Sequence, residues 1–171
     1  DELASNGTRF RSAYTSVPSC TPARAGIITG MDQWNHGRLT MSGSDALNFP
    51  ATMPGELTKA GYHTQAVGKM HFGPQRRLYG FHNMVLDESS RRSGNFVSDY
   101  HEWFDENKDG PYGYRDHSID WNSWMGRPSH LPEHLHPTWW TANEGVKFIK
   151  HRDPTKPFFM WLSFARPHSP Y

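Results

Sequence analysis

Cysteine is almost absent: Cys20 is the only one in 171 residues. A single thiol excludes an internal disulfide and leaves the redox compartment open. Net charge is also scarce, with 18 Lys and Arg against 17 Asp and Glu, giving +1 at pH 7. That balance points to no nucleic-acid partner and no charged membrane surface. No run is long and apolar enough to span a bilayer. No signal peptide is visible, which says nothing about export, because the chain reads as beginning inside a domain. What is abundant is His (11), Trp (7), Tyr (7), Pro (13) and Gly (15). This mixture predicts a loop-rich protein with polar, aromatic-lined surfaces. The length allows one domain of ordinary size.

Both ends read as interruptions. Residues 1–7 look like the last turns of a helix closed by Asn6-Gly7. Residues 166–171 stop just after a strand. The chain is therefore expected to be a piece of a longer protein.

The most informative stretch is Ser19-Cys20-Thr21-Pro22-Ala23-Arg24, followed by Gly26 and Thr29-Gly30. Thr21 is a candidate N-cap and Pro22 a candidate first helical residue. Cys20 would then lie on a loop against a helix N-terminus, where backbone N–H groups favour negative charge. Arg24 adds a full positive charge. A thiol in that setting ionises more easily, and an oxyanion is stabilised. The commoner role of a lone Cys is a small buried hydrophobe. Cys-x-Pro-x-Arg at a helix start suits an anion site better than a core.

Further along, the alternation of Phe10, Ser12 and Tyr14 with Arg9 and Arg11 predicts a short strand over 8–15. Met31 to Phe49 reads as a long loop, with His36 either bonded to backbone or, with Arg38, lining a pocket. Thr52 to Ala60 reads as a helix capped by Thr52, with Pro54 in its first turn and Gly61 after it. A strand over 62–67 follows. Lys69 and His71 then sit on the loop leaving its carboxyl end, where ligands bind in open α/β sheets. Lys is a compact cation for an oxyanion, and His exchanges a proton near neutral pH. Residues 73–136 read as a loop-rich insertion shaping the pocket, with a helix over 98–107. Two metal-like patterns fall there. Asp105 to Asp116 mimics an EF-hand loop but lacks the closing Glu, so a solvated turn is expected. His130-Leu131-Pro132-Glu133-His134 matches H-x-x-E-H, but Pro132 breaks the helix the motif needs. Thr138 to Arg152 is the clearest helix, with Thr141, Gly145, Phe148 and Ile149 at helical spacing. Pro157 to Ala165 is nearly all apolar and predicts a strand buried on both faces. Arg166, just after it, is either a surface charge or a substrate contact. Helices alternating with apolar strands predict an α/β class with a mainly parallel sheet.

Three blocks together resemble one family. Cys20-Thr21-Pro22-Ala23-Arg24 is similar to the first signature of the type I, formylglycine-dependent sulfatases. Gly61 to His71 resembles their second signature nearly position for position. The hydrophobic strand ending in Pro167-His168 is also similar to the family pattern. The resemblance covers most of the chain and 73–136 least. It implies an alkaline-phosphatase-like fold, with helices on both faces of the sheet and incomplete in this chain, so that 1–171 is part of a catalytic domain.

It further implies sulfate-ester hydrolysis by Cys20 matured to formylglycine, whose hydrate attacks sulfur. A divalent ion, Ca²⁺ in most of the family and otherwise Mg²⁺ or another, would bind the formylglycine oxygen. Arg24 and Lys69 would hold the hydrate and the transferring group. His168 would serve the leaving alcohol, and His71 would take a proton as the aldehyde regenerates. The other metal ligands belong, in the family, to segments before and after 1–171. The isolated 171 residues are thus expected to hold metal poorly and to lack activity. Implied partners are a small-molecule or carbohydrate sulfate ester and a formylglycine-generating maturation enzyme. Periplasmic, secreted or lysosomal location follows from the family alone. The alternatives are a phosphonate or phosphodiester hydrolase of the same superfamily, and a non-catalytic binder of sulfated glycans.

Overall fold

The structure, a computed structural model, describes residues 2–41, 47–88, 95–120 and 122–171. The chain divides into two compact units, residues 1–41 and 42–171.

The first unit holds three helices: α1 (Glu2–Ser5), α2 (Cys20–Thr29) and α3 (Gln33–His36). The strand expected over 8–15 is not formed, and Phe10 and Tyr14 are 78% and 93% exposed. An alternating segment becomes a strand only with a neighbour to pair with, and no described segment pairs with it. Helix α2 starts two residues earlier than the sequence predicts. Its first turn closes when Ala23 N–H donates to Ser19 O at 3.0 Å, which makes extended Ser19 the N-cap. Pro22 is still inside the first turn, where its missing N–H costs nothing. Gly30 ends the helix at φ 69°, donating its N–H to Gly26 O at 2.8 Å. Within the expected long loop 31–49, Asp32 caps α3 by accepting from Asn35 N at 3.0 Å. Residues 42–46 of that stretch lie outside the described residues.

The second unit contains α4 (Met53–Lys59), β1 (His63–Gly68), β2 (Asn83–Leu86), α5 (Asp99–Asn107), a 3₁₀ turn (Glu133–Leu135), α6 (Pro137–His151) and β3 (Phe158–Ser163). Thr52 caps α4 as predicted, its hydroxyl accepting from Gly55 N at 3.2 Å. The three strands form one parallel sheet in the order β2-β1-β3. Gly68 of β1 is opposite Leu86 on one side and Ser163 on the other, so all three carboxyl ends meet at one edge.

Strand β2 falls inside the stretch read as an insertion, and α5 packs beside it. The aromatic residues of that stretch do build a core. Tyr100, Phe104, Leu135 and Trp140 are buried together, with Val85, Trp103, Tyr112, Tyr114 and Leu131 against them. Tyr100 completes the cluster by donating its hydroxyl to Leu135 O at 2.9 Å, as a buried phenol must.

Strand β3 departs from the expectation of burial on both faces. It is an edge strand among the described residues, with Phe158 and Leu162 36% and 37% exposed. The buried central strand is β1. Helix α6 turns Trp140, Thr141 and Gly145 inward and leaves Ile149 46% exposed. Gly145 lets the helix approach β3, since a Cβ there would lie 3.0 Å from Leu162 Cδ1.

Candidate active site

The site in the second unit begins at Gly68, whose φ of 88° turns the chain out of β1. A Cβ there would press against Ser163 O of β3, so glycine alone fits both the torsion and the close approach. Lys69 N–H then donates to Ser163 O at 2.8 Å, and Asp87 N–H to Gly68 O at 3.1 Å. These two bonds tie the ends of β1, β2 and β3 together.

Lys69 is only 4% exposed. The loop that follows is fastened by Glu88, itself 2% exposed. Its Oε1 accepts from Met70 N at 2.9 Å and from His71 N at 2.5 Å. His71 sits in the left-handed region at φ 60°, a costly conformation for a residue with a Cβ. The Glu88 carboxylate is what holds it there. Sequence reasoning missed Asp87 and Glu88. The available signal was an acidic pair directly after the short apolar run Met84-Val85-Leu86.

A cleft of about 390 Å³ opens at this edge of the sheet, lined in part by Lys69, Asp87, His117, His136, Arg166 and His168. Lys69 and His168, from the ends of adjacent parallel strands, thus share one cleft, in the position that binds ligands in open α/β sheets. His71 is not among its lining residues.

The His168 ring is oriented by its own loop, with Nδ1 2.8 Å from Ser169 O. A carbonyl only accepts, so Nδ1 carries hydrogen. Arg166 fixes the same loop from within. Its Nη1 donates to His168 O at 2.7 Å and to Pro170 O at 3.1 Å. Arg166 is therefore a half-buried brace and not an open surface charge. Burial lowers its pKa from the ordinary guanidinium value, while Asp87 and then Tyr100 act in the opposite direction. Burial, then Asp87, push the Tyr100 phenol up. The His136 imidazole is held below its usual value by burial first and Arg166 second.

In the first unit, Cys20 is the first residue of α2 and a half-buried free thiol. It is not on the preceding loop, as the sequence had indicated. Arg24 lies one turn on, at the i+4 spacing that shares a helix face. His36 Nδ1 accepts from Arg38 N at 3.1 Å, which is the backbone-bonded arrangement.

The two metal-like patterns are engaged elsewhere. Asp105 pairs with Lys108 at 2.8 Å, Asp109 accepts from the Tyr112 hydroxyl, and Asp116 accepts from Gly113 N at 2.6 Å. Pro132 precedes a 3₁₀ turn, and His130 Nε2 is bonded to Gly113 O at 2.9 Å. Among the described residues no three His, Cys, Asp or Glu are grouped to hold a metal ion.

The sulfatase family model matches residues 1–171. The chain belongs to the sulfatase family. Its sulfatase relatives include an arylsulfatase of Clostridium perfringens (strain 13 / Type A), 44% identical over 181 residues, covering 99% of this chain and 38% of the relative. Arylsulfatase J of Mus musculus is 30% identical over 181 residues, covering 99% of this chain and 28% of its own length. The chain thus spans between a quarter and two fifths of these relatives.

Among solved structures, BT4656 in complex with its substrate D-glucosamine-2-N,6-O-disulfate matches with a TM-score of 0.67 at 23% identity, over 98% of this chain and 29% of that one. The phosphonate monoester hydrolase of Agrobacterium radiobacter matches with a TM-score of 0.62 at 18% identity, over 90% of this chain and 32% of that one. The shared fold is the alkaline-phosphatase-like α/β architecture predicted from the sequence.

Proposed function

We propose that the complete protein hydrolyses sulfate esters, using formylglycine made from Cys20 as its nucleophile. The observation that carries this reading is Lys69 and His168 lining one cleft at the carboxyl ends of adjacent parallel strands, in a sulfatase chain that also carries Cys20-Thr21-Pro22-Ala23-Arg24. Formylglycine supplies a geminal diol, so that one hydroxyl attacks while loss of the other's proton expels the product.

The chain's own side chains do the rest. Lys69, nearly sheathed from water, presents a fixed positive charge to the sulfuryl oxygens, where low dielectric strengthens it. Arg24, one turn from Cys20, neutralises charge at the nucleophile. His168, when it carries hydrogen on both ring nitrogens, gives the Nε2 proton to the leaving oxygen, its ring steadied by Ser169 O. His71 receives the proton of the second hydroxyl.

A divalent ion, Ca²⁺ by family resemblance, is proposed with ligands other than a cluster of these 171 residues, and no step is built on it. The substrate is a small-molecule or carbohydrate sulfate ester, and maturation requires a formylglycine-generating enzyme. Support for a carbohydrate comes from BT4656 with its disulfated glucosamine and from Ps i-CgsB with a neocarrahexaose. A second reading, hydrolysis of phosphonates or phosphodiesters, rests on the fold shared with the phosphonate hydrolase. The 44% identity to an arylsulfatase favours sulfate.

The test is to assay the complete protein, matured in its own host, on 4-nitrophenyl sulfate, a phosphonate monoester and a phosphodiester. Preference for the sulfate, lost in Cys20→Ala, is expected. Faster turnover of the phosphonate or diester would favour the second reading. No turnover of any ester would leave the glycan binder.

A further inference from the structure

The loop that carries His168 is poor in backbone donors. Pro167 and Pro170 have no N–H to give. His168 N–H reaches Ala165 O at 3.3 Å, a long bond, and Tyr171 N–H leaves the loop for Met125 O at 3.2 Å. The loop's carbonyls still need partners where water is excluded, and one side chain supplies two of them. Arg166 Nη1 donates to His168 O at 2.7 Å and to Pro170 O at 3.1 Å.

The carbonyl between those two is the one that orients the imidazole, since Ser169 O lies 2.8 Å from His168 Nδ1. Three consecutive carbonyls are thus shared out, the outer pair to Arg166 and the middle one to the His168 ring. Each peptide is a rigid plane. With the carbonyls on both sides held, Ser169 O has little freedom to turn away from the ring. The bonds come from a charged donor, which makes them stronger than neutral ones. Burial works against that charge, and Asp87, 1% exposed just past the end of β2, then Tyr100, work for it. Arg166 and His168 both line the cleft.

We propose that Arg166 is a positioning residue for the reaction. By holding His168 O and Pro170 O it keeps Ser169 O on the His168 ring, and so aims the imidazole at the leaving oxygen. It acts through His168 and needs no contact with the substrate. The inference rests on the sulfatase reading for the step that His168 serves, whereas the orientation of the ring is a property of the loop and is measured separately. Proton transfer needs donor and acceptor within hydrogen-bond reach, and a displacement of about 1 Å can cost about 10²-fold. An alkyl sulfate, whose leaving oxygen needs a proton, feels that displacement. 4-Nitrophenolate departs without one.

The test uses the complete protein matured in its own host. Turnover is measured on an alkyl sulfate and on 4-nitrophenyl sulfate. NMR of isotopically labelled histidine reports which nitrogen of His168 carries hydrogen, with the His168→Ala protein assigning the signal. Arg166→Gln should lower kcat on the alkyl sulfate by at least about tenfold more than on 4-nitrophenyl sulfate. The His168 signal should move from the Nδ1–H form toward the mixed tautomers of an unrestrained imidazole. In a His168→Ala background the same substitution should leave the ratio of the two kcat values where His168→Ala alone puts it. Equal losses on the two esters, which a merely structural role gives, or an unmoved His168 signal, would overturn the proposal. If Arg166→Gln does not fold, Arg166→Lys, which keeps the charge and gives up the planar fork, is read by the same two criteria. Should the unsubstituted protein turn over no sulfate ester while the substitution still shifts the His168 signal, the positioning stands and the sulfatase reading falls. Should His168→Ala be selective for the alkyl ester while Arg166→Gln moves neither ratio nor signal, the reading stands and the positioning falls.

Discussion

β1 and β3 run side by side to the same cleft, yet their composition and burial are opposed. β1 reads His-Thr-Gln-Ala-Val-Gly and is buried from Thr64 onward. β3 reads Phe-Phe-Met-Trp-Leu-Ser and is half exposed along its length. Burial follows the number of neighbouring strands, and polar groups are admitted to the centre when each has a partner. Thr64 shows how. Its Oγ1 lies 2.8 Å from Thr58 Oγ1 and 2.9 Å from His82 Nδ1, and accepts from His82 N at 3.0 Å. The apolar strand delivers His168 and the polar strand delivers Lys69, so both kinds of strand end in proposed chemistry.

The largest expected effect separates those two ends. Lys69→Ala should cost about 10²–10³ in kcat on every sulfate ester, as loss of an oxyanion contact does. His168→Ala should cost about 10²–10⁴ on alkyl sulfates and far less on 4-nitrophenyl sulfate, whose leaving group needs no proton. Steady-state assays with both ester types check this. Equal losses in His168→Ala on both would remove its role as acid.

Next is the junction of the two strands. Gly68→Ala places a Cβ against Ser163 O at a positive φ. The expected loss is about 3 kcal/mol of stability from torsional strain and overpacking, read as a lower urea midpoint.

A paired substitution then tests the contrast in burial. Thr64→Val should cost about 1–2 kcal/mol, because Thr58 Oγ1 and His82 N–H lose the buried hydroxyl they bond to. Leu162→Thr, on the exposed edge, should cost about 1 kcal/mol or less. The reverse order in urea unfolding would break the comparison.

The smallest effect concerns α6, which packs on both strands. His136 Nδ1 accepts from Thr138 N at 3.2 Å, so the neutral ring caps the helix. Its pKa is lowered in the folded state, so the unfolded chain binds the proton more readily. The stability it supplies is whole above the unfolded value of about 6.5 and is lost as pH falls below it toward the folded pKa. His136→Asn, a non-titrating cap, should flatten the dependence between pH 7.5 and 5.5 by up to about 1 kcal/mol.

Much of this fold was legible where local chemistry decides. Thr52, Pro54 and Gly61 bracket α4, and Gly68 with Lys69 marks the exit of β1. The parallel sheet and the Lys69 and His168 loops followed from alternation of helix and strand. What was not legible depends on distant partners. β2 has only four residues and exists through pairing with β1. Glu88 matters because His71 and Met70, 17 and 18 residues away, need its carboxylate. Segment 8–15 alternates like a strand and has no partner among the described residues. The start of α2 at Cys20 was set by Ser19 O, a backbone acceptor that no side chain announces.

The most direct test of the account is the mass of the tryptic peptide carrying Cys20, taken from the complete protein made in its own host. An aldehyde in place of the thiol, with sulfate-ester turnover proportional to the converted fraction, is the predicted result. A thiol throughout, in a host that converts a control sulfatase, would contradict a nucleophile derived from Cys20.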